Sequence, residues 1–439
     1  MIKLRVLLIN PSYWTGGRIP LGFIKVSSIP LGLGYIGAML ESNGISTKIL
    51  DLDKLDNQTE ILERNLNEFS PDIVGITSFT SNYHNAVRVA RAVKLQRPEA
   101  LVVMGGVHAT FMFREILEEV PEIDVIVRYE GEYTMSELAN ALESKRPLNE
   151  VNGIVYRGDG RLISTPLRAR IENLDEVPFP AHHLMEPSVK DYIGNHDVRS
   201  LPILTTRGCP FECIFCSTAA LHGHLYRTRT NSNVVDELEY LKDKYDINNV
   251  SFVDDNFTMQ KNRVFDLCNE MKKRNLSLKW GCSTRVDLLS EELLKTMKDA
   301  GCTDIFFGIE SASQKVLDTI RKGFRIEEAR EVVRLAEKLG LKTHCSFIIG
   351  LPEETADSLN SMIEFIGDVK PTGRVLPNML DILPGTELLE HRDEFYPDHF
   401  SIPYPDITRS QIEIMLKFYE VNSKTNELLR IKPPKIIVR

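Results

Sequence analysis

Three cysteines, Cys209, Cys213 and Cys216, stand within the stretch TTRGCPFECIFCSTAA, and no cysteine precedes them in the chain. Thiolates at this C-x3-C-x2-C spacing suit a soft metal centre, and the spacing alone leaves three readings open. Structural zinc wants four ligands, usually as two C-x2-C knuckles. Only one such pair occurs here, and Cys268, Cys282, Cys302 and Cys345 form no second one. An iron–sulfur cube held by three thiolates leaves one iron free for a substrate or cofactor. Incidental thiols are the third reading. Seven cysteines, an odd number in a long chain, are not expected to build a disulfide framework.

The elements that must position these thiols alternate between strand and helix. From residue 201 the strand candidates are LPILTTRG, NVSFVDDN (249–256), LKWGCSTRV (278–286), DIFFGIES (304–311), LKTHCSFIIG (341–350) and VLPNMLDILPG (375–385), separated by helical segments such as EELLKTMKDAG and RIEEAREVVRLAEKLG. Six βα units are too few for an eightfold barrel, so residues 201–390 are predicted to form an open, partial (β/α)6 barrel. Its active site is expected at the C-terminal strand ends, and the cysteine loop follows the first strand directly.

Residues 1–150 also alternate: KLRVLLIN, STKILDLD, DIVGITSF, ALVVMGG and DVIVRYEG are short apolar runs separated by helical spacing. This predicts an α/β domain with a doubly wound, Rossmann-like parallel sheet. Ligands of such sheets bind beyond the C-terminal strand ends, here NPS, DLD, TSFTSN, GGVHAT and YEGE. Residues 151–200, with a hairpin signal at Gly158–Asp159–Gly160 and Pro178, Pro180 and Pro187, are expected to be a linker or bridging subdomain. Residues 391–439 would be a short C-terminal extension.

The 439 residues carry a net charge of −9, which argues against nucleic acid or an acidic membrane as an obligatory partner. The basic run of Arg430, Lys432, Lys435 and Arg439 reads as a solvated tail or as an anionic contact. No apolar run approaches the roughly 20 residues of a membrane span. MIKLRVLLINPS reads as a first strand rather than a signal peptide, so a cytoplasmic protein is expected.

The motif CPFECIFC, with Phe215 before the third cysteine, resembles the cluster loop of radical S-adenosylmethionine (SAM) enzymes. FVDDNFT, CSTRVDLL, FFGIESAS and FIIGLPEET, in order and at suitable distances, are similar to further stretches of that family. The resemblance implies that Cys209, Cys213 and Cys216 ligate a 4Fe-4S cluster whose open iron chelates the amino and carboxylate groups of SAM. Reductive cleavage would then release a 5′-deoxyadenosyl radical that abstracts hydrogen from substrate. It also implies SAM contacts from Phe215, Ser283, Arg285, Glu310, Ile349 and Gly350, and an external electron donor of flavodoxin or ferredoxin type. Arg285 can pair with a carboxylate and Glu310 can accept from amino or ribose groups, with an ion pair across strands as the alternative. Cys282 alternates away from Ser283 and Arg285 and should point toward the helices. Without further cysteines upstream, a second cluster of the methylthiotransferase kind is not expected.

The N-terminal domain is similar to the cobalamin (B12) domain of the B12-dependent radical SAM group. The matching positions imply cobalamin contacts from Asn10, Ser12, Leu31, Gly32, Thr77, Ser78, Thr80, Gly105, Gly106, His108, Glu130, Gly131 and Glu132. For His108, cofactor contact and loop packing are both open. The D-x-H-x-x-G loop that ligates cobalt in many B12 proteins is absent, so no histidine is expected on the lower cobalt face. A nucleotide site is the alternative for this domain, but no G-x-G-x-x-G follows the first strand.

Together these resemblances imply a cobalamin-dependent radical SAM C-methyltransferase that moves a methyl group from methylcobalamin to an unactivated carbon. The substrate leaning is toward a protein side chain, such as a glutamine or arginine of methyl-coenzyme M reductase. The alternative is a B12-binding radical SAM cyclase or rearrangement enzyme acting on a small molecule or lipid. A non-catalytic cofactor carrier would leave the SAM-binding positions unexplained. The protein is expected to be a monomer, with substrate contacts sought in residues 391–439, including Tyr396, His399 and Tyr404, and in the Tyr13–Trp14 loop.

Overall fold

Arg5–Asn10, sequence RVLLIN, is β1, and five of its six residues are buried, as a strand covered on both faces requires. The computed structural model describes residues 4–13, 29–193 and 197–396. The chain divides into two compact units, one ending at Asp197 and the other starting at Val198.

In the first unit, β1 pairs in parallel with β2 (Ser46–Asp51) and β3 (Ile73–Thr77), followed outward by β4 (Leu101–Gly105) and β5 (Val125–Val127). The order β5-β4-β3-β1-β2 places a topological switch point between β1 and β3, where a crevice opens beyond the strand ends. Helices α1 (Leu31–Ser42), α2 (Gln58–Phe69), α3 (Tyr83–Gln96), α4 (Val107–Phe111), α5 (Phe113–Glu119) and α6 (Glu132–Glu143) connect the strands. Leu7, Ile9, Leu50, Val74, Ile76, Val102 and Met104 pack against Leu66, Ala86, Ala90 and Leu117 on one side of the sheet. At about 25 cal/mol per Å2, burial of such side chains is the main stabilising term.

The segment 151–200 does not stand apart as a linker. β6 (Ile154–Gly158) and β7 (Arg161–Ser164) form a hairpin that adds antiparallel to β5, and β8 (Met185–Glu186) adds to β2. The reason is chemical: Ile154 and Val155 are fully buried, and Asp159 (φ 52°) with Gly160 (φ 72°) makes the tight left-handed turn. Arg157 secures the hairpin by donating to the carbonyls of Leu117, Val120 and Ile123 at 2.8, 2.6 and 2.6 Å, filling acceptors at the end of α5. After β8 comes the short α7 (Val189–Ile193).

The second unit is a six-stranded, wholly parallel sheet in sequential order: β9 (Ser200–Ile203), β12 (Asn249–Phe252), β13 (Lys279–Thr284), β14 (Cys302–Glu310), β15 (Lys342–Ile349) and β16 (Val375–Met379). A small antiparallel pair, β10 (Thr206–Arg207) and β11 (Arg227–Thr228), brackets the cysteine loop and α8 (Thr218–His222). Helices α9 (Asn231–Tyr245), α10 (Lys261–Lys273), α11 (Glu291–Asp299), α12 (Gln314–Thr319), α13 (Ile326–Lys338) and α14 (Ala356–Val369) link the strands. Buried and half-buried residues alternate along β13, with Trp280 and Cys282 buried and Gly281 and Ser283 on the other face. Cys282 therefore points away from Ser283, and Trp280, Phe252 and Phe257 form an aromatic cluster with centroids 4.6–5.6 Å apart. Among the described residues no helix is long and apolar enough to cross a membrane.

Candidate functional site

The cysteine loop lies just past the short β10, and its backbone is fixed before any thiol is considered. Gly208 has φ 96°, and a Cβ there would sit 2.3 Å from the Leu225 carbonyl oxygen, so only glycine fits. Upstream, the buried Asp254 carboxylate accepts from the backbone N–H of Thr205 and Thr206 and from the Thr205 hydroxyl, each at 2.7 Å. Arg263 donates to that hydroxyl at 2.6 Å. Downstream, Thr218 donates to Asp255 at 3.3 Å, tying α8 to the end of β12. Both acids come from FVDDNFT.

Cys209 and Cys213 are half-buried and Cys216 is exposed, whereas Cys268, Cys282, Cys302 and Cys345 are buried in the sheet and its helices. Burial pushes the Cys209 thiol up to about 11 and also raises Cys213, where Lys322 and Arg285 oppose the rise. These cations favour the thiolate, the form that binds metal. Among the described residues no three acid, histidine or cysteine side chains converge closely enough for a single metal ion. A cube takes each thiolate on a different iron, so three soft donors spread along one partly buried loop with no fourth suit a cluster better than zinc.

Arg285, at the end of β13, is held by several partners. Its guanidinium lies 3.6 Å from the centroid of Phe211, pairs with both Asp287 oxygens at 3.0 Å, and donates to the Lys322 carbonyl. It also reaches the Cys213 sulfur at 4.0 Å. It thus clamps the loop between the first two cysteines. Glu310 ends β14 in a left-handed conformation, φ 67°, at a bulge between Gly308 and Glu310, and pairs with Lys322 at 2.9 Å. Lys322 lies 5.8 Å from the Phe215 ring. Ser283 is half-buried on the face opposite Cys282. The Ile349 carbonyl accepts from Leu380 N–H, and Gly350, φ 97°, receives the Tyr396 hydroxyl on its carbonyl at 2.8 Å. Tyr396 is thus part of the packing around the Gly350 turn.

In the first unit, the positions matched to cobalamin gather at the C-terminal strand ends, but many already serve the protein. Asn10 donates to Asp51 at 2.8 Å and Ser12 to Asp53 at 3.3 Å. Ser78 donates to the Gly105 carbonyl at 3.0 Å, and Gly106 (φ 93°) lets the two loops close, because a Cβ there would lie 2.6 Å from the Ser78 oxygen. The Thr80 hydroxyl meets His108 Nδ1 at 3.1 Å, and the His108 ring lies 4.4 Å from that of Tyr83. Burial, with His84 nearby, lowers the His108 pKa to about 4, so the ring is neutral at ordinary pH. Glu130 accepts from Ile171 N–H at 2.8 Å, Gly131 packs against Ile36, and Glu132 is buried in the first turn of α6. Among the described residues Thr77, half-buried, has no side-chain hydrogen bond and Gly32 has no neighbour within 4 Å of a Cβ position, while Leu31 is half-buried. Tyr13 and Phe79, after β1 and β3, expose 37% and 43% of their surface with rings 6.0 Å apart. Two exposed aromatics flanking the switch point fit a large planar ligand such as a corrin.

Sequence reasoning missed Lys322, Phe211, Asp287 and Asp254. Phe211, Asp254 and Asp287 lie inside the quoted motifs, but Lys322, in IRKGF, carries no spacing signal. Trp14, His399, Tyr404 and the extension beyond residue 396 lie outside the described residues.

The family model for the Radical SAM superfamily matches residues 203–366, and that for the B12-binding domain matches residues 17–139. The chain is 35% identical over 368 residues to an uncharacterised methyltransferase of Pyrococcus horikoshii, covering 83% of this chain and 78% of the relative. It is 34% identical over 377 residues to an anaerobic magnesium-protoporphyrin IX monomethyl ester cyclase of Rubrivivax gelatinosus, covering 84% of this chain and 66% of the cyclase. With the cytidylyl-2-hydroxyethylphosphonate methyltransferase of Streptomyces wedmorensis it shares 31% identity over 406 residues, 82% of this chain and 75% of that one. The fold resembles that of the radical SAM methyltransferase TsrM from Kitasatospora setae (TM-score 0.75, 20% identity, 92% of this chain and 80% of that one).

Proposed function

The chain belongs to the radical SAM enzymes that carry a B12-binding domain, and we propose that it is a C-methyltransferase acting on an unactivated carbon. The observation that carries this reading is the loop of three thiols without a fourth, held at the C-terminal ends of a sequential parallel sheet. When bound, the 4Fe-4S cluster and SAM supply hydrogen abstraction, and methylcobalamin supplies the methyl group. The chain's own residues do the positioning. Cys209, Cys213 and Cys216 hold the cluster, Arg285 and Asp254 fix their loop, and Glu310, Lys322 and Phe215 line its flank. The exposed pair Tyr13 and Phe79, with Thr77, offers the corrin an apolar shelf and one available hydroxyl.

For the substrate, two of the relatives above carry in their names a porphyrin ester and a nucleotidyl phosphonate rather than the expected protein side chain. A small molecule with an unactivated carbon is therefore the substrate class we favour. The cyclase reading is kept because the Rubrivivax gelatinosus relative is nearly as similar as the methyltransferase from Pyrococcus horikoshii. Product analysis of reduced, reconstituted enzyme with candidate substrates separates the two. S-adenosylhomocysteine formed together with 5′-deoxyadenosine supports methyl transfer, and 5′-deoxyadenosine with a ring-closed or rearranged product supports the alternative.

A further inference from the structure

The buried Arg285 guanidinium is gripped on three sides. Nε and Nη2 take the two Asp287 oxygens at 3.0 Å each, and Nη2 also donates to the Lys322 carbonyl. The guanidinium carbon lies 3.6 Å from the ring centroid of Phe211, which stands in the loop between Cys209 and Cys213. One nitrogen is left over. Among the described residues Nη1 meets only the Cys213 sulfur, at 4.0 Å.

That aim is not accidental. A guanidinium is a rigid planar fork, so fixing two of its nitrogens and one face fixes the direction of the third nitrogen as well. The Cys213 thiol, for its part, donates to the Arg321 carbonyl at 3.7 Å. Bound to iron it is a thiolate, with no proton to give, and its sulfur only accepts. A charged N–H held toward that sulfur then has a partner. Hydrogen bonds to the ligating sulfurs are among the factors that set the reduction potential of an iron–sulfur cluster. Reduction adds negative charge to the cluster and its thiolates, so a cationic donor stabilises the reduced form more than the oxidised one.

We propose that Arg285 donates through Nη1 to the Cys213 thiolate and thereby raises the reduction potential of the cluster, beyond its hold on the loop. One electron passes from the external reductant into the cluster, and no proton moves, because the hydrogen stays on Nη1. Arg285 acts through Cys213 and is a positioning residue. This rests on the radical SAM reading above.

The test uses anaerobically reconstituted full-length protein without SAM, its arginine guanidino groups labelled with nitrogen-15, reduced with titanium(III) citrate. Pulsed EPR of the reduced cluster should show a nitrogen-15 coupling in wild type that is lost in Arg285→Lys and Arg285→Gln. Redox titration of the same EPR signal, counted per loaded cluster, should give both variants a reduced-to-oxidised ratio about tenfold lower at equal ambient potential, or about 59 mV for one electron. A residue that only braced the loop would change how many clusters load without moving the potential of those that do. The wild-type coupling carries the test if neither variant holds a cluster. No coupling in wild type, a coupling that survives in the variants, or an unshifted potential would overturn the proposal. Wild-type protein that assembles no iron–sulfur cluster would overturn the radical SAM reading itself, and the proposal with it.

Discussion

Charge placement at single residues decides how the cysteine loop is held. Arg285 combines a bidentate pair with Asp287, a stack on Phe211 and a bond to a backbone carbonyl, geometry that a flat guanidinium supplies and an ammonium does not. Arg285→Lys is therefore expected to lower cluster loading, read as iron content and absorbance near the thiolate-to-iron bands, with SAM cleavage falling by about tenfold or more. Normal loading and turnover in that variant would contradict the clamp. His108 gives a pH-dependent counterpart. Its folded pKa of about 4 lies below the ordinary value of 6.5, so in that window the unfolded chain binds the extra proton and stability falls as pH drops. Urea unfolding at about pH 7 and pH 5 should show His108→Gln losing roughly 1–2 kcal/mol less than wild type, and equal losses would show that His108 does not titrate as described. Motif reading reached both residues but not their work. The type and strand position of Arg285, and its partner Asp287, are visible in TRVD, whereas its other partners come from residues 211 and 322, far along the chain.

The site is built from strand ends and the turns after them, and these turns tolerate little change. A methyl at position 208 would meet the Leu225 carbonyl and force a residue into a left-handed backbone. Gly208→Ala should therefore cost about 1–3 kcal/mol by the usual penalty for such strain, shift the cysteine loop, and reduce iron bound per chain without loss of the three thiols. Full iron loading in Gly208→Ala would contradict this. The parallel strands and the cysteine loop were legible because apolar runs and close thiol spacing are local signals. Other features were not. The hairpin 154–164 was visible as a hairpin but not as part of the first sheet, because edge pairing with β5 has no local marker. The Lys322–Glu310 pair depends on a bulge and the turn after α12 that bring together residues 12 apart. Ser78 and Thr80 looked available for a ligand, yet loop partners 27 and 28 residues away take up their hydroxyls.

At the scale of the whole molecule, the B12-binding family model matches largely within the first compact unit's part of the chain and the radical SAM model within the second's, which leads us to expect each cofactor site in its own unit. Replacing Cys209, Cys213 and Cys216 together by Ala should abolish iron binding while the first unit still takes up cobalamin, followed by its visible absorbance. Loss of both cofactors in that variant would contradict the division. The measurement that tests the central claim most directly is metal and product analysis of anaerobically reconstituted protein, incubated with SAM and a strong reductant. The expected result is about four irons and bound cobalamin per chain, with 5′-deoxyadenosine and S-adenosylhomocysteine both formed. Zinc in place of iron, or no cleavage of SAM by fully iron-loaded protein, would contradict it.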